Sequence, residues 1–230
     1  MKTTMKLFLP LMVIALISFY SCSNINKKAS TESGSPEAVS WNLIDLMGST
    51  TEKVSVSGVP LVVESPYGPA IAFDGQDDGI FLDEMPLKGL TQFTIEVIFR
   101  PESHGNFEQR FFHCGEANAD RVLLETRSTA THWYFDAYLQ SGTEKVALID
   151  STLLHPLDQW YHAAFVVDNG RLRTYINKEK ELEGSVNSSP INTGQTSFGV
   201  RLDKRSWFKG AIYQVKISPQ ALKPEDFMNL

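Results

Sequence analysis

The sequence predicts an all-β protein, two antiparallel β-sheets packed face to face as a sandwich. Three observations carry the prediction. Short runs of β-branched and aromatic residues recur from residue 60 to residue 218, several of them alternating apolar and polar. Gly, Pro, Asn and Asp break the runs at short intervals. No long amphipathic helical pattern interrupts them, and no repeat of the kind that builds propellers or solenoids is present. A hydrophobic fraction of 42% with 11% aromatic residues suits a packed globular core.

The elements follow in order. Residues 60–64, 70–74 and 79–82 are short strands separated by turn residues. Residues 93–100 alternate cleanly, with Phe93, Ile95, Val97 and Phe99 on one face. Thr94, Glu96 and Arg100 lie on the other, where Ile98 is the exception. Residues 110–114, 122–127, 132–139 and 145–150 continue the pattern. Residues 160–167 and 171–177 flank Asp168-Asn169-Gly170, the strongest hairpin signal in the chain. Trp160, at the start of that hairpin, is expected to fill the space between the sheets. Strands over 180–184, 197–202 and 208–218 complete the set, and residues 223–228 form a helical turn.

The N-terminus is of a different kind. Lys2 and Lys6 precede an apolar run over 7–20 that stops at Ser21-Cys22-Ser23. This reads as a secretory signal, too short for a transmembrane helix. Its cysteine resembles that of a bacterial lipoprotein, which implies lipidation at Cys22 and a protein held by its lipid in the cell envelope, at the outer membrane or cell surface. The organisation expected is therefore a signal peptide over 1–21, a polar flexible tether over 22–38, and one domain over 39–230. Loss of the signal removes two lysines, leaving nineteen basic residues against twenty-seven acidic, a formal charge of −8. Such a body argues against a nucleic-acid partner.

Four segments resemble the concanavalin A-like, laminin-G-like jelly roll, in that family's order. They are residues 68–80 (GPAIAFDGQDDGI), 93–101 (FTIEVIFRP), 157–177 with the hairpin, and 208–217 (FKGAIYQVKI). The resemblance implies a jelly-roll sandwich. It also raises a structural calcium ion, for which Asp74, Asp77 and Asp78 are the candidate ligands. Relatives often carry an acidic pair in the closing strand where this chain has Tyr213-Gln214, and aspartates in a tight turn equally serve local backbone hydrogen bonds.

That fold hosts both sugar-binding modules and glycan-cleaving enzymes, so the residues must decide. The Glu-x-Asp-x-x-Glu spacing of laminarinase-like relatives is absent. The five histidines show no metal-ligand spacing. His113 and Cys114 are neighbours on a strand and point to opposite faces, so they do not form a nucleophilic pair. The aromatic residues are the better lead. His132, Tyr134, Asp136 and Tyr138 share one face of their strand, mixing rings that stack on sugars with groups that bond hydroxyls. Trp207 is a second candidate, in a loop. The expectation is a surface-anchored, non-catalytic protein that binds a polysaccharide or glycan. The alternatives are a glycan-degrading hydrolase or lyase, and a protein-interaction or envelope structural module. Convergence of Glu96, Arg100, Glu125 and Arg127 on one face favours the enzyme; an open aromatic groove favours sugar binding.

Overall fold

The computed structural model describes Met1 and residues 37–49 and 51–229. The chain divides into two units, Met1–Gly34 and Ser35–Leu230, and every described residue except Met1 belongs to the second. The expected signal, Cys22 and nearly all of the expected tether lie outside the described residues.

Among the described residues sixteen strands run in order: β1 (Val39–Asn42), β2 (Val54–Ser57), β3 (Leu61–Ser65), β4 (Gly68–Asp74), β5 (Gly79–Leu82), β6 (Gln92–Pro101), β7 (Glu108–Gly115) and β8 (Arg121–Ser128). They continue as β9 (His132–Ser141), β10 (Glu144–Ile149), β11 (His155–Pro156), β12 (Tyr161–Asp168), β13 (Arg171–Ile176), β14 (Glu179–Ser185), β15 (Gln195–Phe198) and β16 (Lys209–Ser218). A helix of five residues, Leu43–Met47, follows β1. Sheet A has the order β14-β13-β12-β6-β16-β4-β3, with β1 also on β16. Sheet B has the order β10-β9-β8-β7-β15-β5-β2, with β11 on β9. All the pairings are antiparallel, so the sandwich expected from the sequence is the one observed.

The alternating runs explain the core. On β6, Phe93, Ile95, Val97 and Phe99 are buried between the sheets, as are Trp133, Phe135, Ala137 and Leu139 on β9. Phe99 stacks on Phe111 at 4.3 Å and meets Trp133 edge-on at 5.2 Å, which ties the two sheets together. The hairpin between β12 and β13 turns at Asn169 and Gly170, both with positive φ, as a two-residue turn of this type requires.

Trp160 does not fill the space between the sheets. It precedes β12, and since its neighbour Tyr161 faces the core, Trp160 projects from the outer face of sheet A and stays half-buried. Trp133, fully buried on β9, takes that place, and Trp41 packs partly buried against the same core. The strand expected over 197–202 ends at Phe198, and the helical turn expected over 223–228 contracts to a 3-10 turn at Pro224–Asp226. The C-terminal segment lies over the outer face of sheet A, where Phe227 packs with Ala164, Val166 and Tyr175 in a small second core.

Candidate functional site

The outer face of sheet B carries a buried ion network. Three strands supply it in register: Arg110 pairs with Glu125 across β7 and β8, and Glu125 with Asp136 across β8 and β9. Arg110 Nε lies 3.1 Å from Glu125 Oε1, and Arg127 Nη2 lies 3.0 Å from Glu125 Oε2. Arg127 Nε and Nη2 donate to Asp136 Oδ2 at 2.9 and 2.6 Å. Glu108 accepts from both arginines, and Arg110 Nη1 also donates to Ser206 Oγ at 2.6 Å. Glu125 is 2% exposed and Asp136 is 3% exposed. Burial, reinforced by the neighbouring Asp136 and Glu108 carboxylates and opposed by the arginines, pushes the Glu125 carboxyl up to about 7. Burial also raises Asp136, whereas hydrogen bonds from both arginines outweigh desolvation at Glu108 and hold it low.

The expected site residues divide between this network and three other places. Asp136 is committed to Arg127, and Tyr134, the cross-strand partner of Arg127, is only 8% exposed. Tyr138 lies on the same face, half-buried. The Arg121 guanidinium sits 5.0 Å over its ring, and its hydroxyl donates to Gln140 at 2.8 Å. His132 lies at the end of β9 against Pro156, with Nδ1 2.8 Å from Thr131 Oγ1. Trp207 stands apart from all of these, at the other side of sheet B.

Near it lies a cleft of about 510 Å³ over β2, β5 and β15, with Phe81 and Lys204 in its lining. Gly79 opens β5 with no side chain. A Cβ placed on it would lie 2.6 Å from Val200 Cγ1, 3.2 Å from Trp207 Cζ3 and 3.4 Å from Phe81 Cε2, so these three side chains close over the buried Gly79. Phe81 faces the cleft, half-buried, and Lys204 Nζ hangs 5.6 Å from its ring centroid. Ser55, Ser57, Asp83 and Gln195 supply hydroxyl, carboxylate and amide groups around it, with Gln195 Nε2 donating to Asp83 Oδ1 at 3.1 Å. Lys204 and Ser206 both adopt positive φ, the local bend that folds the loop back over the sheet. Phe81 was not singled out in the sequence because its run is four residues long and both faces of it read as apolar.

Asp74, Asp77 and Asp78 lie close enough to one another to share an ion. Their oxygens are largely engaged with the backbone, however. Asp74 Oδ1 accepts from the amides of Gln76, Asp77 and Asp78 at 2.8, 3.1 and 3.4 Å. Asp78 Oδ1 accepts from Val59 at 2.7 Å and its Oδ2 from Asp74 at 3.0 Å. Gly58 presses so closely here that a Cβ would meet Asp78 Oδ1 at 2.3 Å. What remains is Asp74 Oδ2 and the exposed Asp77 carboxylate, short of the six to eight oxygens calcium takes. These residues fit a loop clamp and do not fit calcium.

The four residues that were to mark an enzyme do not meet. Glu96 and Arg100 project from the outer face of sheet A, Glu125 and Arg127 from the outer face of sheet B, with the core between them. Glu96 is fully buried, its Oε1 3.0 Å from His162 Nε2 and accepting from the Met228 amide at 2.6 Å. Cys114 is buried in the core, which pushes its thiol up to about 12. His113 faces the other way, with burial holding its imidazole down at about 3. Neither can serve as nucleophile or base near neutral pH.

Comparison with known proteins agrees with this architecture. A laminin-G-type family model described as the concanavalin A-like lectin/glucanases superfamily matches residues 74–227. The chain belongs to that superfamily. Among solved structures it is similar to domain 4 of AbnA, an extracellular arabinanase from Geobacillus stearothermophilus solved with arabinotriose. Identity there is 22%, with a TM-score of 0.55, covering 83% of this chain and 94% of that one. It is also similar to a heptameric SAP-like pentraxin from Limulus polyphemus, at 17% identity and TM-score 0.55, covering 67% and 77% of the two chains. A third is the binding domain of botulinum neurotoxin DC in complex with SialylT, at 10% identity and TM-score 0.56, where the match covers 75% of this chain but 44% of that one. At these identities the likeness is one of fold. No curated protein matches the sequence.

Proposed function

We propose that this protein is a non-catalytic, carbohydrate-binding protein of the cell envelope, held to a membrane through a lipid on Cys22. The observation that carries the binding reading is the cleft over β2, β5 and β15, with Phe81 in its lining and Trp207 close by. Phe81 lines it, Trp207 packs beside Phe81 over Gly79, and hydroxyl, amide, carboxylate and ammonium groups surround the cleft. A sugar ring has the matching surface, with flat apolar faces edged by hydroxyls. The non-catalytic part rests on the state of the acids. Glu125 and Asp136 are buried and ion-paired, Glu96 is sealed under the C-terminal segment, and none of the three lines this cleft or the larger one between β10 and β14. Carbohydrate ligands of the arabinanase domain and of the toxin binding domain lend support by analogy of fold alone.

The test is a glycan-array screen of the full chain beside Trp207→Ala and Phe81→Ala. Both variants are expected to lose the glycans that the wild type retains while melting within a few degrees of it, because each ring is partly exposed. Wild-type binding by both variants would remove the cleft from the account.

A further inference from the structure

A larger cleft, of about 830 Å³, opens at the opposite edge of the sandwich, between the last strand of each sheet. β10 ends sheet B and pairs with β9 alone; β14 ends sheet A and pairs with β13 alone. Each therefore keeps one backbone edge without a strand partner. The cleft is bounded at both ends. At one, Leu148 of β10 packs against Gly184 of β14, where a Cβ would meet Leu148 Cδ2 at 2.7 Å. At the other, Ser141 Oγ donates to the Ser189 carbonyl at 3.0 Å and accepts from the Ser189 amide at 2.9 Å. Val146 and Val186, both half-buried against the core, line the cleft between these closures.

The two edges differ in how they are guarded. Four of the seven residues of β14 are charged, which blunts it against a further strand. β10 carries charge only at its first two positions, Glu144 and Lys145, and continues as Val146-Ala147-Leu148-Ile149. Ile149 is 42% exposed. Strand parity sorts the charges. Glu144 shares the face of Val146 and Leu148, so it points toward the mouth of the cleft, and Lys145 takes the other face. Arg171, across the cleft, is held by Glu183 through two hydrogen bonds at 2.9 and 2.6 Å. Glu144 is exposed and, among the described residues, has no ion-pair partner.

We infer that this cleft binds an extended peptide of a partner protein, added as a strand to β10, with a basic residue two positions from an apolar one. The free edge supplies the backbone hydrogen bonds. The peptide's inward side chains then stand opposite Glu144 and Val146, which fits a lysine or arginine followed at strand spacing by a β-branched residue. None of the eleven lining residues is aromatic, unlike the cleft that holds Phe81, so a sugar finds no ring to stack on. A second copy of the chain fits less well. Its own β10 offers only Glu144, Val146 and Leu148 on that face, and none of them is basic. The inference stands apart from the glycan-binding reading, which uses the other edge of the sandwich.

Fluorescence anisotropy of the full chain with a labelled peptide, TVTVTKT, tests this. Run antiparallel to β10, the peptide sets its lysine opposite Glu144 and a valine opposite Val146. The comparisons are TVTVTET and two forms of the first peptide, each methylated on a different alternate set of backbone amides. The wild type is expected to bind the lysine peptide about fivefold more tightly than the glutamate peptide, and Glu144→Lys to reverse that order. One methylated form is expected to lose binding and the other to keep it, because only alternate amides face β10. Matching melting temperatures establish that Glu144→Lys is folded. No binding of any peptide, or equal binding of both methylated forms, would overturn the strand pairing. An unchanged preference in Glu144→Lys would overturn the basic partner. A dimer in sedimentation that Ile149→Lys breaks, with no peptide bound, would give the edge to a second copy. Displacement of bound peptide by a glycan from the array would give the cleft to a saccharide.

Discussion

Glu125 and Asp136 face each other across β8 and β9, and both carboxylates close on the same nitrogen, Arg127 Nη2, at 3.0 and 2.6 Å. Two acids that share one cation under the surface cannot both ionise as easily as they do in water. The arrangement locks three strands of sheet B together, and it withdraws the best-placed acid pair of that sheet from solvent. Such a pair exposed in a cleft would favour hydrolysis; here it stiffens the sheet.

The network has a pH signature. Glu125 carries its proton in the folded state up to about 7, against an ordinary 4.5. Between those values the folded state binds more protons than the unfolded one, so stability is full below about 4.5 and declines as pH rises toward 7. Glu125→Gln is expected to abolish that decline. Urea midpoints at pH 5 and pH 8 check it: the variant should gain on the wild type at the higher pH, and an equal gap at both would show that Glu125 titrates normally.

His113 contributes the opposite slope. It is fully buried, with Nε2 donating to the Glu116 carbonyl at 3.1 Å, and stays neutral down to about 3 against an ordinary 6.5. The unfolded chain takes the proton first, so its contribution is present above 6.5 and is lost as pH falls toward 3. His113→Gln is expected to flatten the acid side of the stability profile, read from urea midpoints between pH 4 and pH 7.

Trp133 and Trp160 separate core from surface. Trp133→Ala is expected to destabilise by roughly 3–5 kcal/mol, as for a large ring removed from a packed interior. Trp160→Ala is expected to cost well under half of that, because one side of its ring faces solvent. Equal losses in urea unfolding would place Trp160 in the core after all.

The aspartate turn is expected to be indifferent to calcium. Saturating calcium and chelator should give the same melting temperature. Asp78→Ala should lower it, since two backbone amides lose their acceptor at roughly 1–3 kcal/mol in total. A calcium-dependent rise in melting temperature that Asp78→Ala abolishes would restore the ion.

The fold was legible because alternation writes the core directly into the sequence. Phe93 to Phe99 and Trp133 to Leu139 point inward as their spacing requires, and Asn169-Gly170 makes the turn it signals. What alternation cannot give is which outer face is covered, and by what. Tyr134 and Asp136 have the parity of an exposed face and lie on it, yet cross-strand partners bury them. Trp160 was assigned to the core from its size, whereas its position one residue before Tyr161 sets it outside. The first two strands passed unnoticed because Val39–Asn42 and Val54–Ser57 hold only two apolar residues each, where the equally short Gly79–Leu82 holds three in a row. Phe81 and Trp207 are both brought to Gly79 only through the pairing of β5 with β15 and the loop that follows, from positions more than a hundred residues apart.

The central claim is binding without cleavage, and one measurement addresses both halves. The purified chain is incubated with whichever polysaccharide it binds best in the glycan-array screen, and bound protein, reducing ends and unsaturated ends are followed together over a day. The account predicts saturable binding that Trp207→Ala weakens, with no product above the protein-free control. Sustained release of new chain ends, abolished by Glu125→Gln or Asp136→Asn, would contradict it and make the buried acid pair the centre of an enzyme.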